Sequence, residues 1–511
     1  MGVRSNTSVP VSTSSRMAIP KVIGVETEYG ISGGPGRDPI LASSILVNTY
    51  AQQSRTSINW DFDAESPGMD ARGFPSLTSL APIVETHLAN TVLPNGARFY
   101  VDHAHPEYSS PECRTPIEAV LYDLAGEEVL RRSVLSGNTT LAPDDQIVVY
   151  KNNSDGKGNS YGCHENYLLN RGLDFVDVVK AMVPHFVSRQ IICGAGKVGA
   201  ETEVGHASSP SFQLSQRSEF FEEIVGLETT LKRPIINTRD EPHGDAERFR
   251  RLHVIVGDAN MSQVATFVKV GSTALLLAAL EDWGASVFPA SPRQPVRALH
   301  QFSLDTSLET TVMCDDGQQL SAWDFQDQLW ELARRYASSR DTESVGDDHE
   351  VEEILREWRE MLDGVRDDPA GVADRVDWIA KQRLVEGYAQ RHNLGPTDAR
   401  LRAIDLQYHD LRPEKSLSNR AGLRELWKKS EVLAAVFDPP TGTRAYFRGR
   451  CVSKYSDQIA AANWDSVVFD LGGDSLQRVP MMDPLRGTAA LTQDLLDRCP
   501  TAGELLVALD A

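Results

Sequence analysis

Two acidic stretches decide the reading of this chain: Lys21-Val-Ile-Gly-Val-Glu26-Thr-Glu28-Tyr-Gly30, and Asn95-Gly-Ala-Arg98-Phe-Tyr100-Val-Asp102-His-Ala-His-Pro-Glu107-Tyr108. Side chains alternate between the two faces of a strand. Glu26 and Glu28 therefore point the same way, and Arg98, Tyr100 and Asp102 share a face while Phe99 and Val101 take the other. Two glutamates on one strand usually mean no more than a solvated surface. Asp102 and Glu107 on a second strand and turn change that, because four carboxylates crowded between neighbouring strands repel one another unless a cation sits among them. A sheet with an apolar back and a front of carboxylates plus one arginine suits a hard cation and a phosphate. Mg²⁺ takes carboxylate oxygens and shares itself with substrate phosphates, and arginine forks onto phosphate oxygens.

The 511 residues are 41% hydrophobic and 24% charged, an ordinary globular composition for more than one domain. A formal net charge of −21 argues against general binding to nucleic acid or a membrane surface, which needs a basic face. No apolar run approaches membrane-spanning length. The six cysteines are scattered, with no C-x-x-C pair, and read as reduced thiols of a cytoplasmic protein. Residues 1–18 are Ser/Thr-rich without an apolar core and are expected to form a disordered tail, with Met17 just ahead of the first strand.

Strands are expected at 21–31, 97–102, 146–152 and 252–258, and a helix over 116–135 from the spacing of Ile117, Val120, Leu121, Leu124 and Leu130. A catalytic domain is expected over 19–437. Within it, 31–93 shows little periodicity and reads as a long mobile loop insertion containing Asn59-Trp60-Asp61-Phe62-Asp63-Ala-Glu65 and Asp70-Ala-Arg72-Gly73-Phe74. Beyond about 320 the pattern turns helical, around Trp323, Phe325, Leu329 and Leu332, then Ile354, Trp358 and Leu362. After Pro439-Pro440 a small domain, 438–511, is expected, with strands at 443–453 and 464–471 and a last helix near 488–509.

Two motifs mislead. Gly194-Ala-Gly196-Lys-Val-Gly199 matches a dinucleotide-binding loop, but Ala200-Glu-Thr-Glu-Val-Gly-His does not continue as a helix, so the phosphate-facing helix N-terminus is missing. Phe469-Asp-Leu-Gly472-Gly473-Asp474-Ser475-Leu476 resembles a phosphopantetheine attachment site, yet Trp464-Asp-Ser-Val-Val-Phe ahead of it alternates like a strand, where a carrier domain has a helix. In Tyr150-Lys-Asn152-Asn153-Ser-Asp155-Gly-Lys157-Gly-Asn159-Ser-Tyr161-Gly-Cys-His164-Glu165-Asn166, a Gly-rich turn leads into a strand on which His164 and Asn166 share a face. His164 either ends a hydrogen-bonded hairpin or completes a second metal site. Arg217, Lys232, Arg233, Arg239, Arg248, Arg250 and Arg251 form a local excess of base that suits an anionic ligand.

Together these segments resemble the Pup-handling enzymes, a branch of the glutamine-synthetase-like carboxylate–amine ligase superfamily. The resemblance runs from about residue 21 to the C-terminus and rests on GVETEYG, NGARFYVDHAHPEY, YKNNSDGKGNSYGCHENY, LSQRSEF, RPIINTRDEPHGDAERFRRLHVIVGDAN and TRAYFRG. The family holds a ligase, which joins the ubiquitin-like protein Pup to lysines, and a depupylase/deamidase that hydrolyses that isopeptide bond and the C-terminal Gln amide of Pup. The 31–93 insertion, its WDFDAES segment and DHAHPEY, one residue shorter than the ligase form, favour the hydrolase. The ligase, or a nucleotide-binding recruiter of pupylated proteins, is the alternative.

The resemblance implies an α+β fold: a large glutamine-synthetase-like domain with a curved antiparallel sheet and packed helices, and a small C-terminal α/β domain. It implies ATP and Mg²⁺ as cofactors, Pup and pupylated proteins as partners, and a functional link to the bacterial proteasome, with no nucleic acid and no membrane. Glu26, Tyr100 and Glu107 would hold Mg²⁺, with Glu28 beside a second site that uses His164 or His243. Arg98, Ser110, Arg217, Arg239 and Trp464 would contact ATP. Asp102 would be the catalytic carboxylate, as nucleophile or as general base. Pup is acidic and disordered when free, so a groove lined by Arg248, Arg250 and Arg251 would receive it as a helix.

Overall fold

The alternation of the two acidic stretches is realised in one sheet. The computed structural model describes residues 18–54, 58–62, 65–66, 68–73, 89–201, 210–473 and 475–509. Residues 1–17 of the expected tail, Phe74 and the stretch 202–209 lie outside the described residues. The strands that build the site are β1 (Ile23–Glu28), β2 (Asn59–Trp60), β3 (Asn90–Val92), β4 (Arg98–Asp102), β5 (His105–Ser109), β6 (Cys163–Asn170), β7 (Phe249–Val254), β8 (Ile459–Ala462), β9 (Ser466–Phe469) and β10 (Gln477–Pro480). Six of them form an antiparallel sheet in the order β7-β6-β1-β5-β4-β3.

Register fixes the faces. Glu26 lies opposite Ser109 on one side and His164 on the other, and Glu28 lies opposite Glu107. Tyr100 also faces Glu107, and His253 faces Asn166. Opposed residues share a face, so Glu26, Glu28, Arg98, Tyr100, Asp102, Glu107, His164, Asn166, Arg251 and His253 all project from the same side. The reverse side carries Ile23, Val25, Phe99, Val101, Tyr108, Tyr167, Leu252 and Val254, none more than 3% exposed. Helices α1 (Pro39–Ser54), α2 (Pro116–Asn138) and α3 (Gln263–Trp283) pack against the sheet. Thr115 caps α2 by accepting from the backbone N–H of Glu118, and Pro116 pre-sets its first turn. Helix α3 is buried nearly all round, and its few charged side chains are paired inside, Lys269 with the Asp258 carbonyl and Glu281 with Lys21. Among the described residues it is the one helix long and apolar enough to cross a membrane, and 94% of its apolar window is buried inside the molecule.

Four expectations are corrected. The 31–93 insertion is not one loop: it contains α1, whose Ala42, Leu46 and Tyr50 are buried, with the Tyr50 ring edge-on to Phe99 at 5.9 Å. Its period was masked because the outward face also carries Ile40 and Leu41, both exposed. The stretch 443–453 is helix α4 (Ala445–Lys454), not a strand, and Tyr446, Phe447, Arg448, Gly449, Cys451 and Val452 are all buried, leaving no polar side to reveal a helical period. The strand expected at 252–258 ends at Val254 and starts earlier, at Phe249. The last helix is two, Ala489–Arg498 and Ala502–Leu509, broken around Cys499-Pro500. The strand before the Gly472-Gly473 turn is present as β9, which keeps that segment distinct from a four-helix carrier domain.

The C-terminal module has its own sheet, β10-β9-β8-β2. Its fourth strand comes from the insertion: β2 runs parallel to β8, with Asn59 opposite Ala461 and Trp60 opposite Ala462. A buried ionic hub ties the module to the large sheet. Glu112, just beyond β5, accepts from Arg444 Nε at 2.7 Å and from Arg448 Nη1 at 3.1 Å, while Arg448 also donates to the carbonyls of Gly96 and Trp464. Gly96 has φ +83°, and a Cβ there would lie 2.9 Å from the Ala445 carbonyl oxygen, so glycine is what lets α4 approach.

Burial pushes the Glu112 carboxyl up, but the two guanidiniums outweigh it and bring it to about 2. Its stabilising effect is therefore complete above the ordinary value of 4.5 and is lost as pH falls towards 2. Glu112→Gln should lower stability by about 3–5 kcal/mol by leaving two buried guanidiniums underpaired. Thermal melts at pH 7 and pH 3 should differ less in this variant than in the wild type.

Candidate active site

The polar face gathers two sets of ligand atoms. Carboxylate oxygens of Glu28, Asp102 and Glu107 lie within 4.8 Å of one another, and an oxygen of Glu26 forms a second such group with ring nitrogens of His164 and His253. His164 stands between the two, its Nδ1 3.5 Å from Glu26 Oε2 and its Nε2 4.0 Å from Glu28 Oε1. Asn166 orients the second group. Its Nδ2 donates to Glu26 Oε1 at 2.9 Å, which leaves Oδ1 to accept from Arg251 Nη1 at 2.7 Å and from His253 Nδ1 at 3.0 Å. Arg251 Nη1 also lies 3.3 Å from His253 Nδ1, so Asn166 and Arg251 together hold the His253 ring beside Glu26. Gly162 donates its N–H to Glu28 Oε1 at 2.9 Å, and a Cβ at Gly162 would collide with His164.

The carboxylates split in charge. Burial raises all four, and the neighbours decide the outcome. At Glu26 burial is outweighed by the hydrogen bond from His164 and the charges of His253, His164 and Arg251, so it titrates well below the usual range. At Asp102 burial is outweighed by His103, whose Nδ1 lies 3.0 Å from Oδ1, and by His164 and Arg98, leaving it lowered. Glu28 is raised by burial and by the charge of Asp102. Glu107 is raised furthest, by burial and then by Asp102, Glu28 and Glu26, although the Tyr100 side chain hydrogen-bonds to it. Within the first group Asp102 is thus held below the ordinary carboxylate range and Glu28 and Glu107 above it, and a divalent cation would draw the latter two down.

This face floors a cavity of about 470 Å³, walled by Phe62, Glu65, Arg98, Arg239, His243 and Trp464 among others. A narrower slot of about 80 Å³ shares Glu26, His243, Arg251 and Trp464 with it and is lined by Gly24, Val25, Leu168 and Pro242. The cavity offers cation ligands and arginines, and the slot offers a flat apolar wall, the combination a nucleotide requires.

Of the residues singled out by sequence, Glu26, Glu28, Tyr100, Asp102, Glu107 and His164 meet on the sheet, and Arg98, Arg239, His243 and Trp464 stand on the walls. Arg239 Nε is buried without a hydrogen-bond partner among the described residues. His243 does not join the ligand groups: it sits 3.9 Å from Glu241 on the far wall, and the second site expected beside Glu28 forms instead at Glu26, with His164 and His253, while Glu28 groups with Asp102 and Glu107. The Arg251-Leu-His253 alternation in the strand was the signal for it. Ser110 lines the slot, but its hydroxyl accepts from Val25 N and donates to the Pro111 carbonyl. Arg217 is 1% exposed and does not line the cavity; it donates to the Ile255 carbonyl and Ser160 Oγ, and its guanidinium is lowered to about 10 by burial and by Arg233.

Nor do the three arginines of the basic run share a groove. Strand alternation sends Arg251 into the site and Arg250 to the Leu173 carbonyl and Asp240, while Arg248 pairs at the surface with Asp483.

The profile of a family described as Pup-ligase protein matches residues 21–468. The depupylase of Acidothermus cellulolyticus is 49% identical over 504 residues, covering 96% of this chain and 99% of its own. The Pup deamidase/depupylase of Mycobacterium tuberculosis is 45% identical over 510 residues, with the same two coverages. A Pup–protein ligase of Nakamurella multipartita is 38% identical over 409 residues, covering 78% of this chain and 88% of the ligase. In three dimensions the chain is similar to the ligase PafA in its complex with Pup, at a TM-score of 0.79, 28% identity and coverage of 97% and 95%. It is also similar to PafA in complex with ADP, at 0.73, 31% identity and coverage of 86% and 98%.

Cation binding should release protons, because Glu28 and Glu107 hold theirs above the ordinary carboxylate range. Titration with Mg²⁺ in buffers of different ionisation heat reads the proton count. It should fall in Glu107→Gln, and affinity should rise with pH as Glu28 and Glu107 titrate, above the ordinary carboxylate range. His253→Ala should weaken binding at the Glu26 group by about 10–100-fold while the group at Glu28 still titrates.

Proposed function

This chain belongs to the Pup-ligase protein family, and from that premise we propose that it is a depupylase and Pup deamidase. It would be an ATP- and Mg²⁺-dependent hydrolase that cuts the isopeptide bond between Pup and a substrate lysine and converts the C-terminal Gln of Pup to Glu. The observation that carries the hydrolase over the ligase is closeness of sequence: the relatives named depupylase are 49% and 45% identical, the ligase relative 38%. Pup and pupylated proteins are then its partners, in the service of a proteasome, and the scattered buried thiols suit a cytoplasmic setting.

The donor sets fit the groups this reading requires. Glu28, Asp102 and Glu107 offer only oxygen, as Mg²⁺ prefers, and Glu26, His164 and His253 make a mixed second set. Bound there, Mg²⁺ would neutralise crowded carboxylates and phosphate oxygens and polarise the scissile carbonyl. Arg98 and Arg239 face the cavity as phosphate partners, and Trp464 walls the slot for the base. Asp102 stays ionised beside Arg98 and His103, as a nucleophile or a general base must. His103 has φ +51°, a strained conformation for a residue that is not glycine, and this turn sets its imidazole against Asp102. Hydrolysis of the isopeptide and of the Gln side-chain amide is the same attack at the same carbonyl carbon, with the lysine amine or ammonia leaving.

Asp102→Asn should lower kcat for cleavage of a preformed Pup conjugate by about 10²–10⁴-fold, with ATP affinity within about threefold, since volume is kept. Mass spectrometry of the products and calorimetry with ATP check both. Attachment of Pup ending in Glu to a lysine protein, without cleavage of a preformed conjugate, would assign the chain to the ligase instead.

A further inference from the structure

One side chain touches both walls of the cavity from a segment that belongs to neither. Trp60 is 5% exposed and sits on β2. Its backbone is held by the C-terminal module through pairing with β8, and the next residue, Asp61, donates its N–H to the Ala462 carbonyl at 3.0 Å. On the other side the Ile58 carbonyl accepts from Val92 N at 3.2 Å, at the edge strand of the large sheet. The segment 58–61 is thus stitched to both sheets. The indole stands edge-on to Trp464, with ring centroids 5.1 Å apart, and its Nε1–H donates to Glu65 Oε1 at 2.6 Å. The Arg98 guanidinium lies 4.1 Å from the centre of the indole and 3.9 Å from that of Tyr100, with Glu65 Oε1 3.7 Å from its Nη1.

We propose that Trp60 is a positioning residue for the nucleotide, holding Arg98 of the large sheet and Trp464 of the module in one stack so that the phosphate wall and the base wall form together. This rests on the nucleotide reading of the cavity given above. Stacking against two aromatic faces, with Nε donating to Asn90 Oδ1 at 3.2 Å, fixes the direction of the Arg98 fork without either ring consuming its N–H groups. The side chain of Arg98 is only 12% exposed, so little water competes for its place. Edge-on contact with Trp60 likewise limits how the Trp464 ring can turn. Neither restraint requires Trp60 to touch the nucleotide. The expected effect therefore falls on affinity and leaves the chemical step at Asp102 alone.

The test uses full-length enzyme with ATP, Mg²⁺ and a Pup conjugate. Trp60→Leu removes the ring, and Trp60→Phe keeps a face for Arg98 and an edge for Trp464. Calorimetry should give Trp60→Leu an ATP Kd about tenfold weaker than wild type, and Trp60→Phe one within about threefold. At saturating ATP, kcat for cleavage should stay within about twofold in both, a split that a merely structural role would not produce. If the leucine variant melts before the assay temperature, Trp60→Met, unbranched and apolar, takes its place. ATP affinity of the ring-less variant within about twofold of wild type, or loss of kcat at unchanged affinity, overturns the proposal alone. A wild-type enzyme that does not bind ATP overturns the nucleotide reading with it.

Discussion

The register of β1 between β5 and β6 is the constraint on which the rest of the molecule depends. Side chains on a strand repeat every two residues, so a slip of one residue would send Glu26 and Glu28 into the helical layer and bring Val25 and Thr27 to the cavity. Helices α1, α2 and α3 forbid that slip, since they cover a face on which Ile23, Val25, Phe99 and Tyr108 are almost fully buried. The apolar side therefore sets the polar side. Four carboxylates are forced into one patch by the packing of residues that never touch it, and their mutual repulsion is the unavoidable result. Burial and that repulsion push Glu28 and Glu107 up, while His103, His164, Arg98 and Arg251 hold Asp102 and Glu26 down. Such a patch is poised for a cation because no protein group alone satisfies it.

The reverse side is not purely apolar, and its buried charges mark where elements must meet. Arg189 forks onto Glu165 at 2.6 and 2.9 Å, and Tyr167 donates to the same carboxylate. Lys151 reaches Asp123 at 2.6 Å and Glu127 at 2.7 Å, joining α2 to the Gly-rich turn that leads into β6. Glu112 does the same between the sheet and the C-terminal module. Buried pairs of this kind add little net stability over apolar packing, but breaking one partner is costly, so they favour a single arrangement. Two of them adjoin the site: Glu165 is next to His164, and Glu112 itself lines the slot.

The polar face was legible because period-two alternation needs only a few residues to declare itself. Glu26, Glu28, Arg98, Tyr100, Asp102, Glu107 and His164 fall together on that basis, and capped helices such as α2 were equally plain. Three things were hidden. The alternation of Arg251 and His253 shows which face of β7 they share, but the pairing of β7 with β6, which brings that face to Glu26, joins segments far apart in sequence. Helices buried on all sides, or with apolar residues on both faces, lose the period that would identify them, as α4 and α1 did. A dense basic run carries no information about where its members point: Arg250 and Arg251 are neighbours in sequence and occupy opposite faces of one strand.

The insertion between the two acidic stretches shows how such hidden pairings bear on function. Its two described anchors, α1 and β2, have different partners: α1 closes the core under β4 and β5, and β2 completes the sheet of the module. Asp61 adds an ion pair to Arg478 of the module at 2.5 Å, and Ala71 donates its N–H to the Thr238 carbonyl, next to Arg239. The module, the edge of the large sheet and the strand bearing Arg239 are thus each fastened to one stretch of chain, between residues 58 and 73. A segment fastened in this way acts on a site as a frame, because moving any one wall must break hydrogen bonds to it. A chain with a shorter connection between the strands bearing Glu28 and Asp102 would need to build its cavity from the two domains alone.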